Sequence, residues 1–267
     1  MDHTDVMILG ARGSVPISSP ECVEFGGATT CVLLRMNGEY IILDAGTGIL
    51  SLPTDAMEQP RLSLLLTHMH LDHLCGLTMC PFVLKCGKTL DIYGSPACGA
   101  SVEAVLETIY SPPVWPVRPS QLPAALHYHP LPDELEIGAV KVSAMEGRHP
   151  DGVKLLRLTG GGKTIVFATD FTLTDDLYPK AVEFARGCDL LLCDGQYSAE
   201  ELKSRPGFGH NSWLNAARLG RDCQAAAVRI IHHDPSHTDD ILNSAEKEAA
   251  AVYPACRLAR EGEVIAL

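Results

Sequence analysis

The sequence predicts an α/β protein of four layers, in which two mixed β-sheets pack face to face and helices cover both outer faces. Short apolar segments of strand length dominate the early part of the chain, and strand-like and helix-like segments alternate further along. Layers of this kind bury the apolar face of each element against its neighbour. Because no linker-like segment divides the 267 residues, we expect a single domain over residues 1–267.

The predicted strands are short, mostly apolar runs. They cover residues 6–9, 31–36, 40–43, 62–66, 90–93, 137–144, 154–158, 164–168, 189–193 and 228–231. The predicted helices cover residues 97–109, 177–185, 212–221 and 238–252. In the first helix, apolar residues such as Val102 and Leu106 recur with the helical period. The last helix has Thr238 as an expected N-cap, with Asp239 and Asp240 in its first turn.

A proline-rich segment over residues 111–132 is the main irregular part of the chain. Proline removes a backbone donor and fixes φ, so an extended loop is expected here. Trp115 and Arg118 within it either cover a substrate or belong to a structural connection between a helix and the next strand. The structural connection is the preferred interpretation.

The charge and hydropathy of the chain exclude some classes of function. A net charge of −12 argues against broad binding to nucleic acid, which needs a basic surface. No apolar run is long enough to cross a membrane. The N-terminal residues 1–5 carry acidic side chains and lack a basic leader. A cytoplasmic protein is therefore expected.

Ten cysteines are spread along the chain without a Cys-x-x-Cys pair. Cys31 and Cys193 lie in apolar runs, which predicts buried free thiols in a reducing compartment. The alternative is a second zinc site at Cys75, Cys80 and Cys86, but their spacing matches no common zinc module. Free thiols are the preferred interpretation.

The most informative motif is Thr-His-Met-His-Leu-Asp-His, directly after the apolar run 62–66. His68 and His70 are two residues apart and can point the same way from an extended segment. Asp72 and His73 follow at a turn and can point to a neighbouring position. One loop can therefore supply ligands to two metal ions, and imidazole with carboxylate suits zinc, manganese or iron.

Further potential ligands also follow predicted strands. His149 comes after the strand that ends near residue 144, Asp170 follows the strand 164–168, and His232 and His233 follow the strand 228–231. The ends of neighbouring strands lie close together at one edge of a sheet. In α/β proteins, ligands bind at the edge formed by the carboxyl ends of the strands. We therefore expect these side chains to complete the site begun by the first loop.

With these residues in this order, the chain resembles the metallo-β-lactamase superfamily along nearly its whole length. The resemblance rests on the first loop, the later histidines and Asp170 in that order, and the glycine-containing segments 10–14, 26–31 and 43–48. Gly209-His210 before the last helix–strand pair is similar to the branch of ribonuclease Z and the phosphoribosyl cyclic phosphate phosphodiesterase. The fold implied is the four-layer αββα sandwich.

The resemblance implies a dinuclear metal site. His68, His70 and His149 would bind one metal, whereas Asp72, His73 and His232 would bind the other, and Asp170 would bridge the two. For the late histidine, His232 is preferred over His233, which would then contact a ligand or the substrate. The aspartate at the bridging position, where the zinc β-lactamases have a cysteine ligand, argues against antibiotic hydrolysis.

Three further residues are assigned roles around this site. Asp72 and His210 are the expected catalytic residues, and His210 would act as a general acid on the leaving oxygen or contact a phosphate. The alternative for His210 is a polar residue that caps the following helix. Asp44, at another strand end, is expected to orient a ligand histidine or the first loop rather than to bind metal.

The function implied is that of a metal-dependent hydrolase with two divalent ions, most simply zinc. The predicted activity is phosphodiester hydrolysis by metal-bound hydroxide on a small cyclic or nucleotide-like phosphate. The alternatives are a lactone or ester hydrolase with the same site, and a catalytically idle metal-binding sensor or scaffold. Transfer RNA is not expected as a substrate, because no long basic insertion is present and the 21 Lys and Arg residues are not clustered. The resemblance also implies a homodimer.

Overall fold

The computed structural model describes residues 4–267, which form two seven-stranded sheets. The expectation for the N-terminal leader therefore falls partly outside the described residues. The first sheet contains β1 (Asp5–Gly10), β2 (Cys31–Met36), β3 (Glu39–Leu43), β4 (Arg61–Leu65), β5 (Thr89–Gly94), β6 (Ala125–Pro130) and β14 (Val264–Ala266). Its strand order is β14-β1-β2-β3-β4-β5-β6, with parallel pairing from β3 through β6 and antiparallel pairing elsewhere.

The second sheet is also mixed. It contains β7 (Glu134–Ile137), β8 (Val140–Gly147), β9 (Val153–Gly160), β10 (Lys163–Ala168), β11 (Leu190–Asp194), β12 (Ala227–Ile231) and β13 (Cys256–Leu258). Its strand order is β13-β12-β11-β10-β9-β8-β7. The strands β10 to β13 are parallel, so β10, β11 and β12 end at the same edge of the sheet.

Six α-helices accompany the sheets in residues 4–267. They are α1 (Thr54–Glu58), α2 (Val102–Ile109), α3 (Tyr178–Phe184), α4 (Ala199–Ser204), α5 (Trp213–Asp222) and α6 (Asp239–Val252). The predicted N-cap of the last helix is at Thr238, but its side chain makes no cap hydrogen bond. The Asp239 carboxylate instead accepts from the backbone amides of Glu24 and Phe25.

The buried side chains form three apolar clusters that define four layers. Along β2, Val32 and Leu34 point into the cluster between the two sheets, whereas Cys31 and Leu33 point into the cluster outside the first sheet. That outer cluster includes α1 and α2, and a third cluster joins the second sheet to α3, α5 and α6. Alternate residues of a strand face opposite sides of a sheet. The predicted αββα sandwich is therefore confirmed.

One predicted strand is wrong in detail. The segment 137–144 is not a single strand, because β7 and β8 pair antiparallel as a hairpin. The chain turns at Gly138, where φ is +55°, a conformation that glycine adopts without steric cost. The alternation of Glu134, Leu135, Glu136 and Ile137 is the strand signal that the prediction did not use.

Three strands and two short helices were not predicted. The strand β6 falls within the proline-rich segment and carries His127, His129 and Pro130, which weaken a strand pattern. It lies at the edge of the first sheet, where a proline is tolerated. The strands β13 and β14 have three residues each, and α1 and α4 have five and six. Elements this short lack enough residues to show a period.

The proline-rich segment connects α2 to β6. The Trp115 ring packs edge-on against Tyr110, with ring centroids 5.6 Å apart, at the outer cluster of the first sheet. An Arg118 guanidinium nitrogen lies 3.5 Å from a Glu107 carboxylate oxygen of α2. These contacts agree with the structural connection rather than with a cover over a substrate.

The ten cysteines are free, and seven of them are buried. The prediction of unpaired thiols is therefore confirmed. No helix in residues 4–267 combines the length and the apolar character needed to cross a membrane.

Candidate metal centre

Loops after several strands of both sheets meet at one edge of the sandwich. The first loop follows β4, which is parallel to both of its neighbours, and it supplies His68, His70, Asp72 and His73. The second sheet supplies the other side chains after β8, β10 and β12. Because the carboxyl ends of parallel strands lie at one edge, the two sheets present their polar loops to each other.

A first group of potential ligands consists of His68, His70 and His149, with one nitrogen of each within 4.8 Å of the others. His149 Nε2 lies 3.0 Å from His70 Nδ1. The imidazole rings of His68 and His149 are edge-on, with centroids 4.9 Å apart. Three imidazoles converging in this way form a set of neutral nitrogen donors suited to zinc.

A second group consists of Asp72, His73, Asp170 and His232, all of them buried. His73 Nε2 lies 3.3 Å from Asp72 Oδ2 and 3.3 Å from Asp170 Oδ2. His232 Nε2 lies 3.1 Å from Asp72 Oδ2 and 3.1 Å from Asp170 Oδ1. Two imidazoles and two carboxylates thus share one small volume.

The carboxylate of Asp170 lies between the two groups. Its Oδ1 is 3.9 Å from His68 Nε2 and 4.0 Å from His149 Nε2, and it also contacts His232. Its Oδ2 contacts His73 and accepts a hydrogen bond from the Thr169 hydroxyl. This position agrees with the bridging role that the resemblance implies.

The unsatisfied polar atoms of the site fit bound cations. The Nε2 atoms of His68 and His73 are buried and make no hydrogen bond, since the carboxylate oxygens 3.3 Å from His73 Nε2 lack hydrogen-bond geometry. Leaving a buried polar group unpaired costs about 1–3 kcal/mol, so structures rarely contain two such atoms side by side. A metal ion in each group would satisfy both nitrogens, and the donor set of imidazole and carboxylate is the appropriate one.

In two histidines of the first loop, the ring nitrogen that does not face the centre is held by a neighbouring side chain. Asp44 Oδ2 lies 2.7 Å from His73 Nδ1, and Asp44 also accepts from the backbone amide of Thr67 at 2.8 Å. Thr67 Oγ1 in turn lies 3.0 Å from His68 Nδ1. Such contacts fix the orientation of metal-binding imidazoles. Asp44 thus contacts both a candidate ligand and the first loop, in agreement with the expectation that it orients these groups.

The same arrangement continues in the second sheet. His149 Nδ1 lies 2.9 Å from the Gly209 carbonyl oxygen, and His232 Nδ1 lies 3.1 Å from Gln196 Oε1. In both residues Nε2 is left to face the centre. Gly209 is required here because a Cβ at this position would lie 2.1 Å from His149 Nδ1.

The electrostatics of the second group favour cations. Burial opposes ionisation of Asp170, but the imidazoles of His232 and His73 outweigh it and hold the pKa of Asp170 well below its usual range. Burial likewise opposes protonation of His232, yet the carboxylates of Asp170 and Asp72 raise the pKa of His232 to about 10. The negative field that stabilises these protons also favours a divalent ion, which would compete with them.

The first group has the opposite electrostatic character. Burial, together with the nearby imidazole of His73, holds the pKa of His68 well below its usual range. Burial also lowers the pKa of His149, although Asp170 partly opposes it. These two imidazoles are therefore neutral and free to act as ligands at neutral pH.

The structure distinguishes the two late histidines. His232 has φ of +63° and points into the second group, whereas His233 Nε2 donates to the Ala259 carbonyl oxygen at 2.9 Å. The His233 ring packs edge-on against Phe25, and burial lowers the pKa of His233 to about 3. The expectation that this second imidazole contacts a ligand or the substrate is wrong, because it is a buried structural residue.

His210 pairs with a carboxylate that the sequence interpretation missed. His210 Nδ1 lies 2.8 Å from Asp194 Oδ2, and Asp194 Oδ1 accepts from the Asn211 backbone amide at 2.8 Å. The His210 ring stacks on His232, with centroids 4.8 Å apart. Ser212, not His210, caps α5, since its side chain accepts from the Asn215 amide. Asp194 ends β11, so the rule that found Asp170 was also available for it.

The glycine-containing segment 10–14 also reaches the site. The Ser14 backbone amide donates to Asp72 Oδ2 at 2.7 Å. A Cβ at Gly13 would lie 2.2 Å from His232 Nδ1, so only glycine fits there. The buried Arg12 guanidinium donates to the carbonyl oxygens of Asp234 and His237 and thereby ties this segment to the loop after β12.

The site is also recognisable by comparison with known proteins. A family model described as "Beta-lactamase superfamily domain" matches residues 39–233. A ribonuclease Z of Treponema pallidum (strain Nichols) is 26% identical over 308 residues, covering 97% of this chain and 96% of that protein. The probable metallo-hydrolase YhfI of Bacillus subtilis (strain 168) is 23% identical over 260 residues and covers 93% of both.

Solved structures share the fold. The crystal structure of YhfI has a TM-score of 0.76 at 20% identity and covers 100% of both chains. A diphosphatase from the PhnP family has a TM-score of 0.71 at 16% identity and covers 98% of this chain and 97% of that one. The chain belongs to the beta-lactamase superfamily, since the family model matches most of its length. It is a metallo-β-lactamase-fold hydrolase whose sequence is similar to that of a protein named ribonuclease Z.

Proposed function

We propose that the chain is a dinuclear metal-dependent phosphodiesterase that acts on a small cyclic or nucleotide-like phosphate. The observation that carries the proposal is the pair of ligand groups joined through the carboxylate of Asp170. A pair of adjacent cations is suited to an in-line displacement at phosphorus, because it can neutralise charge on both the attacking and the leaving oxygen.

The residues that would hold the ions are those assigned by the resemblance. His68, His70 and His149 form one set, and Asp72, His73 and His232 form the other, with Asp170 between them. Zinc suits this mixture of nitrogen and oxygen donors, and manganese or iron are the alternatives. When bound, the ions supply Lewis acidity toward phosphoryl oxygens and a source of hydroxide at neutral pH.

His210 is positioned to handle the proton of the leaving group. Asp194 holds its Nδ1 at 2.8 Å, which fixes the ring and leaves Nε2 available. An imidazole held in this way can donate a proton to the departing oxygen, and a positioned acid contributes about 10²–10⁴-fold. Asp194 acts through His210 and is therefore a positioning residue. Asp72 is one of the proposed ligands and also accepts a hydrogen bond from the Ser14 backbone amide.

A small substrate is preferred over transfer RNA on the grounds of charge. The relative from Treponema pallidum is named ribonuclease Z. The present chain has a net charge of −12, and a polyanion is repelled unless a basic surface offsets that charge. Two divalent ions would offset about a third of this net charge. Their positive charge is enough for one phosphodiester group but not for the many phosphates of a long RNA.

The proposal is tested by assaying the metal-reconstituted protein with three substrates while the metal content of the same sample is measured. The substrates are bis-p-nitrophenyl phosphate, a γ-lactone and a precursor transfer RNA. Turnover of the diester with about two metals per chain is the expected result. Turnover of the lactone alone would establish the ester hydrolase instead. Cleavage of the RNA at its 3′ end would overturn the small-substrate proposal, and two metals without any turnover would favour the idle scaffold.

A further inference from the structure

A cavity of about 360 Å³ adjoins the first ligand group. It shares His68 and His70 with that group, so a molecule bound at the metal centre has direct access to it. Small-molecule sites in proteins usually have volumes of about 300–1,000 Å³. The cavity is therefore large enough to hold a substituent of the reacting group rather than a solvent molecule.

The wall of the cavity is apolar. Its main lining side chains are Met69, Ala97, Ala100, Ala104, Val105 and Ile109. Three of them belong to α2, whose Val102 and Leu106 are buried in the outer cluster of the first sheet. Val105 and Ile109 are only partly buried: they pack against that cluster and also line the cavity, whereas Ala104 is exposed.

Apart from the ions proposed at the metal centre, the cavity offers no cation to an anionic ligand. No lysine or arginine lines it among residues 4–267, and the one charged side chain at its wall is Asp151, whose Oδ2 lies 3.6 Å from His70 Nε2. Lys154 lines a smaller neighbouring cavity of about 130 Å³, but its ammonium group pairs with Asp133 and Glu146 at 2.8 Å each. A second phosphate in this position would face a carboxylate and find no partner.

The rim is already formed. Ala97 and Ala100 exchange backbone hydrogen bonds across a tight turn in which Cys98 and Gly99 have φ of +49° and +81°. The Cys98 thiol donates to Asp151 Oδ1 at 3.4 Å across the mouth. A rim that is held by hydrogen bonds needs no ordering when a ligand enters, which favours binding of even a small apolar group.

We propose that this cavity binds the uncharged apolar substituent, an aryl or alkyl group, that stays on phosphorus when the phosphodiester is hydrolysed at the metal centre. The inference rests on the proposed function and narrows it. The substrate is a mixed diester with one apolar arm, and polyphosphates and oligonucleotides are disfavoured because each places another anion beside Asp151.

Two diesters with the same leaving group test the inference on the metal-loaded protein. They are phenyl p-nitrophenyl phosphate and methyl p-nitrophenyl phosphate. In the variant Ala104→Phe, a ring on the exposed surface of α2 fills the cavity. We expect it to lower kcat/KM for the phenyl diester at least about tenfold more than for the methyl diester. For each diester, kcat/KM of the variant is divided by that of the wild type. This ratio cancels the different intrinsic reactivities of the two diesters.

The matched control is Ala251→Phe, which places the same ring at an exposed position of α6, on the outer face of the other sheet. It should change neither diester. If Ala104→Phe lowers both diesters equally, or lowers neither, the cavity does not hold the substituent.

Failure of the phosphodiesterase proposal gives a different result. If neither diester is turned over, the proposed function is wrong, and the cavity is judged by calorimetric binding of phenylphosphonate and methylphosphonate to the metal-loaded protein. At least about tenfold tighter binding of phenylphosphonate, lost in Ala104→Phe but kept in Ala251→Phe, supports the cavity. Equal binding of the two phosphonates overturns it.

Discussion

Three side chains in or beside the candidate metal centre belong to residues with left-handed backbone conformations. Asp44, Asp170 and His232 have φ of +59°, +52° and +63°. Non-glycine residues adopt this region rarely, and aspartate tolerates it better than most. Asp44 and His232 directly follow a strand, and Asp170 is the second residue after β10. In each case the conformation turns the side chain toward the candidate centre. The backbone strain at these positions is thus tied to the placement of the ligands.

Replacement of Asp170 tests the shared carboxylate. Asp170→Ala should reduce bound metal from about two ions per chain to one or fewer, because both groups lose a donor. Hydrolysis of bis-p-nitrophenyl phosphate should fall at least about a hundredfold, since even residues that only support metal ligands cost about 10–100-fold. Elemental analysis and initial rates on the same sample measure both. The exposed Asp175→Ala is the control, and full activity in Asp170→Ala would contradict the dinuclear assignment.

Replacement of His210 separates a proton donor from a ligand. His210→Ala should leave metal content near that of the wild type and slow turnover by roughly a hundredfold for an alkyl leaving group. The loss should be smaller for p-nitrophenolate, which departs without a proton. Rates for matched alkyl and p-nitrophenyl diesters measure the difference. Ser212→Ala, which removes the cap of α5 two residues away, serves as the control; loss of metal in His210→Ala would make His210 a ligand.

At the scale of elements, the short helices depend on their caps. The six residues of α4 bury none of their side chains, so packing contributes little to this helix. Its N-terminus instead has a reciprocal pair of hydrogen bonds, in which Ser198 Oγ accepts from the Glu201 amide and the Glu201 carboxylate accepts from the Ser198 amide. The longer α6 needs no such pair, because Leu242, Ala245 and Ala249 are buried.

Removal of this cap should therefore be measurable. Ser198→Ala is expected to lower the free energy of unfolding by about 1 kcal/mol, because the Glu201 amide loses its acceptor. Urea denaturation monitored by circular dichroism measures the change. Ser244→Ala, at an exposed position of α6, is the matched control and should leave stability unchanged or raise it slightly, since alanine is the better helix former. An unchanged midpoint in Ser198→Ala would show that the cap is not needed.

At the scale of the whole molecule, the candidate metal centre forms only because the two sheets are docked. The first group combines His68 and His70 from the first sheet with His149 from the second. The second group combines Asp72 and His73 with Asp170 and His232 in the same way. Neither sheet has a complete set alone. The apolar cluster between the sheets therefore fixes the distances within both groups.

Truncation in that cluster tests its contribution. Phe167 is fully buried between the sheets on β10, three residues before Asp170. Phe167→Ala should lower stability by about 3–5 kcal/mol, from lost burial and the cavity that remains. Each kcal/mol corresponds to a fall in Tm of about 2–4 °C for a domain of about this size. Val264→Ala, at an exposed residue of the edge strand β14, should stay within about 0.5 kcal/mol. A Tm unchanged in Phe167→Ala would contradict this account.

Local patterns in the sequence were enough to predict the αββα class, most strands and the ligand-bearing loops. Apolar runs and their period reflect burial directly, and the His-x-His-x-Asp-His order needs only one turn of chain to bring its side chains together. The same rule of polar residues after buried strands located His149 and Asp170, whose geometry agrees with the expected site.

The tertiary structure decided what depends on contacts between distant segments. His232 and His233 are equivalent by sequence position, and only the left-handed turn after β12 sends one to the centre and the other into the core. The pairing of Asp194 with His210 and the apolar cavity beside His70 join residues far apart in the chain. Sequence patterns record the burial and period of each segment, whereas such pairings depend on how the segments dock.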